Sequence, residues 1–246
     1  VVGDVQPDAV RDLAQKHFGG LTTSQLPELK ARTEVDQVGL RRMTIKLPAK
    51  LPFLLMGYKV PVLKGATEDW EAYALEVLSG ILDGGNSTRL ASRLVRGKQM
   101  AAETSVGYDL YSRLPTLFTV AAVPVQGRTP AMLEQALRDE IRQLQDKPVT
   151  ADELARVKAQ VVAHKVYEQD SGFYQAMQLG MLETVGLGWS KADEYLDKVK
   201  AVTAEQIQMV ARKYLLEDRL SIAYLEPLPV ADNKAVAETS PEGGHV

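Results

Sequence analysis

The chain has 246 residues, of which 45% are hydrophobic and 25% are charged, and it contains no cysteine. Its 29 basic and 32 acidic side chains give a formal net charge of −3, which excludes a generally basic nucleic-acid binder. The lack of thiols excludes cysteine nucleophiles, disulfides, iron–sulfur clusters and cysteine-based zinc sites. No apolar run approaches the ~20 residues that a membrane-spanning helix needs.

The first forty residues predict a strand, a helix and a linker. Val1 to Val5 resembles the end of a buried strand, and Pro7 suits the first turn of a helix that ends near Phe18. Because such a strand needs neighbours, we expect residues 1–20 to be the last strand and helix of a preceding unit in a larger protein. Residues 21–40 mix polar side chains without periodicity, which predicts a linker.

The next segment, up to residue 125, predicts paired strands around two helices. Weak alternation predicts one strand, and a mostly apolar run predicts a second, central strand. Turn residues and helical spacing define the remainder. The predicted strands are Arg41–Leu47, Phe53–Val60, Glu103–Leu114 and Thr116–Val125, and the predicted helices are Thr67–Leu82 and a helix capped by Ser87 that ends near Arg96.

Helices dominate the rest of the chain. The predicted helices are Pro130–Gln145, Thr150–Gln169, Ser171–Val185, Ser190–Lys200 and Thr203–Leu216, followed by a strand over Leu220–Leu225. Thr150 with Glu153, and Thr203 with Gln206, have the spacing of capping boxes. Residues 228–246 are polar and predict a disordered tail. The element order predicts an α+β domain with a mostly antiparallel sheet and helices packed on one face.

Side chains that could carry chemistry are few. The histidines are His17, His164 and His245, and only His164 has a second ligand type nearby, Glu168, at helical spacing. A zinc site usually needs three protein ligands, so a surface pair is the favoured interpretation. Nucleotide-binding and nucleophile-elbow motifs are absent. The residues alone therefore predict a binding, structural or accessory domain without a complete catalytic site.

Aromatic side chains along the predicted strands allow two interpretations. Tyr58, Tyr108, Tyr111 and Phe118 would form an aromatic face on the sheet, available to a ligand, or they would pack in the core. Core packing is the favoured interpretation because large aromatic side chains usually contribute buried area.

Several segments, in order, resemble the pitrilysin-type zinc metallopeptidases, the family with an inverted zinc motif. The segments are Val2–Phe18, Leu54–Pro61, Ala74–Leu90, Thr150–Lys158 and Thr203–Pro227. The resemblance implies a two-halved α+β protein in which His-x-x-Glu-His and a distant Glu of the first half hold zinc. The corresponding helix here reads Tyr73-Ala74-Leu75-Glu76-Val77. The resemblance thus implies that residues 41–227 are the inactive C-terminal peptidase-like domain, with zinc expected in the N-terminal half and none in this chain.

The resemblance also bears on substrate binding. Active members often have an Arg and, seven residues later, a Tyr in the second half that bind the substrate backbone. The matching positions are Val95 and Ala102, and the nearby Arg96 and Glu103 are one step out of place. The resemblance therefore implies two partners for this chain, its own N-terminal catalytic half and a homologous subunit that supplies Arg and Tyr to a peptide substrate.

Two alternatives remain open at the level of sequence. The parent protein would be a scaffold subunit without protease activity, or this chain would be a stand-alone peptide-binding domain that adds substrate to a sheet edge. No nucleic acid and no membrane span are expected. The compartment is left open between bacterial periplasm and cytoplasm.

Overall fold

The computed structural model describes residues 1–25 and 34–229. The helices are α1 Pro7–Phe18, α2 Asp69–Leu82, α3 Pro130–Asp146, α4 Ala151–Gln169, α5 Gly172–Val185, α6 Lys191–Ala201 and α7 Ala204–Tyr214. The strands are β1 Arg41–Pro48, β2 Phe53–Val60, β3 Ala101–Gly107, β4 Thr116–Pro124 and β5 Leu220–Leu228. A π-helix covers Ala91–Gly97, and a short 3₁₀ turn precedes β5.

The strands form one sheet in the order β1-β5-β2-β4-β3. Only β1 and β5 run parallel, and the other neighbouring pairs are antiparallel. This confirms the predicted α+β fold with a mostly antiparallel sheet. One face of the sheet carries the core, where alternate residues of β2 such as Leu54, Met56 and Tyr58 are at most 2% exposed.

The core explains the position of α2. This helix is buried on most of its surface, including Tyr73, Val77 and Ile81, because it packs between the sheet and the later helices. Among those helices, α7 contacts α2 most extensively, with α4 next. The helix α2, which contains the segment compared with the inverted zinc motif, is therefore the central helix of the domain.

Of the two capping boxes predicted from the sequence, the one at the start of α7 forms completely and the one at the start of α4 forms only in part. Thr203 and Gln206 form a complete capping box at the start of α7. At the start of α4, the Thr150 side chain accepts a hydrogen bond from the Glu153 backbone. The Glu153 carboxylate binds Arg89 instead, at 2.7 and 2.8 Å, so this end has only half of the predicted box.

The predicted strand over Val1 to Val5 does not form. These residues are exposed and have no strand partner within the described residues, so their backbone groups lack the ladder that a strand requires. The helix that follows, α1, does form as predicted from Pro7 to Phe18, but none of its residues is buried. The prediction of a strand in this segment is therefore wrong for the described structure.

The first strand of the predicted hairpin is shorter than expected. It ends at Gly107 rather than Leu114, and residues 108–115 form a connection across the end of β2. The Tyr108 hydroxyl donates to the Pro61 carbonyl at 2.9 Å, and the Leu110 carbonyl accepts from the Leu63 amide at 3.1 Å. These contacts with the segment after β2 replace strand pairing.

The helix predicted to begin at Ser87 also differs. The Thr88 hydroxyl donates to the Gly85 carbonyl in a turn, and the following helix is wound largely as a π-helix up to Gly97. Ser87 is therefore not its N-cap.

Two further regions complete the comparison with the sequence. Within the predicted linker, residues 26–33 lie outside the described residues, and Gln37 is buried and donates to the Leu220 carbonyl at 2.8 Å. Of the predicted tail 228–246, only residues 228 and 229 are described, and Leu228 belongs to β5. In the described part of the chain, no helix combines the length and apolar character that crossing a membrane requires.

Candidate functional site

A cleft lies beside α2, enclosed by α4, α5, α6 and the connection 108–115. Its volume is about 530 Å³. The side chains that line it include Glu76, Tyr111, Lys165, Met177, Gln178 and Tyr195. Because these side chains come from segments distant in sequence, no local motif indicates the cleft.

Glu76 is the acidic group of this cleft. Its carboxylate accepts a single, long hydrogen bond from the Tyr195 hydroxyl, at 3.4 Å. Burial raises the pKa of Glu76 to about 7, against the lowering effect of the Tyr195 hydrogen bond. The negative charges of Asp109 and Glu168 raise this pKa further, and Lys165 lowers it. Glu76 therefore changes its charge near neutral pH.

Three tyrosine rings lie next to Glu76. The ring centroids of Tyr73 and Tyr111 are each 6.3 Å from that of Tyr195. The hydroxyls of Tyr73 and Tyr111 are buried without a hydrogen-bond partner among the described residues. Burial raises the pKa of all three, that of Tyr73 to about 12, so the phenols are neutral at ordinary pH.

Lys165 of α4 carries positive charge in the cleft. Lys165 Nζ donates to Glu168 Oε2 at 2.9 Å and to Gln178 Oε1 at 2.8 Å, and it lies 5.5 Å from the Tyr195 ring centroid. The predicted surface pair of His164 and Glu168 is confirmed, with Nδ1 and Oε1 3.3 Å apart. The lysine is thus already held by its neighbours.

The expected aromatic packing is also confirmed in its main part. Tyr58, Phe118 and Tyr111 are at most 8% exposed, and Tyr108 packs against Phe118 with ring centroids 6.3 Å apart. Only Tyr108 and Tyr111 reach the cleft. His17, the remaining described histidine, is exposed in the last turn of α1.

The residues of α2 do not fit a zinc ion. The inverted motif has histidine at two positions, which are occupied here by Tyr73 and Val77. Tyr73 presents a neutral phenol, and Val77 has no atom that could coordinate zinc. Among residues 1–25 and 34–229, no group of three or more histidine, aspartate or glutamate side chains is arranged to hold a metal. Glu76 alone keeps the motif's side-chain type.

A second, shallower depression contains the positions matched to the family's Arg and Tyr. Val95 of the π-helix and Ala102 of β3 line it together with Gln99 and Arg128. The β3 strand is bulged here, since its register with β4 shifts between Ala101 and Glu103. The structure thus brings the two positions together, although neither side chain can hydrogen-bond a peptide.

The displaced candidates of that pair are engaged elsewhere or face solvent. Arg96 donates to the backbone carbonyl of Asn86. Glu103 is exposed on β3. Neither restores an Arg and Tyr pair within the depression, whose role in substrate binding stays a prediction.

The sheet face opposite the core is apolar and exposed. We call it the open sheet face. Its large apolar side chains are 36–54% exposed, and those of β2 and β4 alternate with the core residues. They are Met43, Ile45, Leu47, Phe53, Leu55 and Leu117. The sequence indicated the alternation in β1 but not that its apolar side faces away from this domain's own helices.

The fold and the site together define an α+β domain whose central helix, α2, has no metal ligands at the two histidine positions of the inverted motif. A family model described as the peptidase M16 inactive domain matches residues 1–161. The chain belongs to this family, and the pitrilysin-type resemblance is confirmed. It is an inactive M16 peptidase domain of the kind found in zinc-protease-like proteins.

Relatives of known name or structure agree with this assignment. The zinc protease PqqE of Helicobacter pylori is 27% identical over an alignment of 240 residues that covers 92% of this chain and 50% of that protein. A protease structure from Helicobacter pylori superposes with a TM-score of 0.81 at 23% identity, over 92% of this chain and 54% of the other. A peptidase M16 inactive domain structure from Pseudomonas fluorescens gives 0.69 at 19% identity, over 92% and 52%. The chain spans about half the length of these relatives.

Proposed function

We propose that the chain is the non-catalytic C-terminal domain of a zinc metalloendopeptidase. In this role it packs against a zinc-bearing N-terminal half, closes the peptide-binding chamber with it, and takes no part in metal binding. Residues 1–20 then belong to that preceding half, and residues 41–227 form the supporting domain.

The observation that carries this proposal is the open sheet face. Contiguous exposed apolar surface on a soluble domain commonly marks an interaction site. Met43, Leu55 and Leu117 come from three strands and share this face. The unburied helix α1 adds a second uncovered apolar surface, with Leu13 56% and Phe18 66% exposed. A neighbouring half would cover both.

A homologous partner subunit is a further part of the proposal. Val95 and Ala102 cannot hold a substrate backbone through side-chain hydrogen bonds, so Arg and Tyr would come from another chain. The scaffold interpretation and the stand-alone peptide-binding interpretation remain the alternatives.

The test measures zinc content and peptide hydrolysis for this chain alone and mixed with the zinc-bearing half as a separate polypeptide. We expect no zinc and no cleavage for the chain alone, zinc for the mixture, and cleavage once the homologous subunit that supplies Arg and Tyr is added. Stoichiometric zinc or cleavage by the chain alone would contradict the proposal. A mixture that associates and binds no zinc would favour the scaffold alternative.

A further inference from the structure

Glu76, which is half-buried beside the cleft, differs from the fully buried carboxylates of the domain. Glu71, Glu134 and Glu140 are at most 5% exposed, and each has a lysine or arginine within ion-pair distance. Glu76 has no cation within that distance in the described chain and only the long Tyr195 hydrogen bond. A half-buried carboxylate without a counter-charge is costly, and the cleft next to it is large enough for a counter-charge to enter.

A second observation points to an occupant of the same cleft. Tyr111 lines the same cleft, its hydroxyl is unpartnered in the described part of the chain, and the residue is only 8% exposed. Buried polar atoms normally have hydrogen-bond partners, so this phenol oxygen indicates a ligand that would complete it.

We propose that this cleft binds a primary ammonium group, carried on an aliphatic stem, at the Glu76 carboxylate. An ammonium has three donors and no acceptor, which suits a carboxylate and phenol oxygens. Tyrosine rings such as those of Tyr111 and Tyr195 also attract a cation.

The charges around the cleft favour a cation over an anion. Glu76, Asp109 and Glu168 face it from α2, the connection 108–115 and α4. Lys165 is the cation that opposes them, and its Nζ is engaged by Glu168 and Gln178. An anion would therefore meet more negative than positive charge.

The apolar walls of the cleft suit the aliphatic stem of the proposed ligand. Val157 and Val161 of α4 and Met177 and Met181 of α5 line it. Transfer of a methylene group from water to apolar surroundings is favourable by about 0.8 kcal/mol, so these side chains favour an aliphatic stem. Methionine adapts to stems of different shape. The proposal does not depend on the proposed function, since the cleft lies within this domain alone.

The first experiment titrates the chain with n-butylammonium and follows the Glu76 side-chain carboxyl carbon by NMR. We expect saturable shifts, and a Glu76 pKa that falls when the probe is bound. n-Butanol is the neutral control for the stem. Equal shifts with n-butanol would overturn the proposal, because the cleft would then bind apolar groups without regard to charge.

Variants assign the effect to the carboxylate. Glu76→Gln keeps the shape and should weaken n-butylammonium binding roughly tenfold or more, as expected for loss of a charged hydrogen bond. Tyr111→Phe should weaken it less. Glu68→Gln, an exposed change at the start of α2, is the matched control and should bind like the wild type. Unweakened binding by a folded Glu76→Gln protein would contradict the proposal.

The pH dependence supplies a readout independent of any variant. The titratable groups facing Glu76 are Tyr108, Asp109 and Tyr111 from the connection, His164, Lys165 and Glu168 from α4, Tyr174 from α5 and Tyr195 from α6. A carboxylate that ionises near 7 should bind the probe roughly tenfold more tightly at about pH 8 than at about pH 6. The amine itself stays protonated throughout this range.

Peptides identify the natural source of the ammonium. One peptide has a free N-terminus and no lysine, a second is N-acetylated with an internal lysine, and a third is N-acetylated without lysine. Binding of the first or the second alone assigns the cleft to a chain terminus or to a lysine side chain. Binding of the third as tightly as the others would overturn ammonium recognition.

Discussion

The ionisation of Glu76 also has a consequence for stability at the level of a single residue. Its pKa is about 7 in the folded domain, against an ordinary value of 4.5. Between these two values the folded state keeps a proton that the unfolded state has lost. The folded state therefore binds more protons than the unfolded state, and stability falls as the pH rises through this window.

We predict that Glu76→Gln removes this loss. The wild type should lose on the order of 3 kcal/mol of unfolding free energy between about pH 4.5 and pH 7 through this group, whereas the variant should not. Urea unfolding of both proteins at about pH 5 and about pH 8 measures the difference. Glu68→Gln should follow the wild type, and a variant no more stable than wild type at about pH 8 would contradict the prediction.

At the scale of one element, α7 shows what a local motif contributes. Gln206 N donates to Thr203 Oγ1 at 3.2 Å, and Thr203 N donates to Gln206 Oε1 at 2.9 Å. The helix behind this cap buries Ile207 and Val210 against the core. Fraying at its start would therefore reach the packing of α2.

We expect Thr203→Ala to lower the unfolding free energy by about 1 kcal/mol, as is typical for an N-cap threonine. Thr184→Ala is the matched control, because the Thr184 hydroxyl donates to the Gly180 carbonyl within exposed α5 and caps nothing. The urea midpoint should move for the first variant and barely for the second. Equal effects would mean that the cap does not stabilise α7.

The elements also show how far sequence reasoning reaches. The predicted bounds of α2 to α7 lie within two residues of the observed ones, because apolar periodicity and caps are local signals. β3 was predicted too long because Tyr108 and Leu110 look strand-like, and only their contacts with Pro61 and Leu63 reveal a connection. Strand pairing of Val1 to Val5 depended on a neighbour that the described chain lacks.

Less of the candidate site than of the fold could be predicted from the sequence. The motif comparison passed over Glu76 within the segment Tyr73 to Val77, but it identified Val95 and Ala102, which the fold brings together. The cleft itself joins α2 to Tyr111 and Tyr195 across long stretches of chain. The Glu76 carboxylate lacks a cation because the neighbouring helices place their lysine and arginine side chains elsewhere. Residue spacing in the sequence does not predict that arrangement.

At the scale of the whole molecule, the open sheet face is the surface through which we propose that the domain associates. Its residues are exposed to solvent in the isolated chain, where Ile45 is 40% and Leu55 is 37% exposed. Replacing them by lysine should therefore change the stability of the isolated domain little, since surface substitutions usually have small effects. In a covered interface the same lysine would lose its water without gaining a partner.

The last prediction separates these two situations. Leu55→Lys should weaken association with the zinc-bearing half roughly tenfold or more, because a leucine side chain contributes about 1.5–3 kcal/mol on burial. Val166→Lys, at a residue 48% exposed on α4 and away from the sheet, is the matched control and should associate normally. Analytical ultracentrifugation of the mixtures measures both. If Leu55→Lys associates as tightly as Val166→Lys, the covered surface lies elsewhere on the domain and the open sheet face has another role.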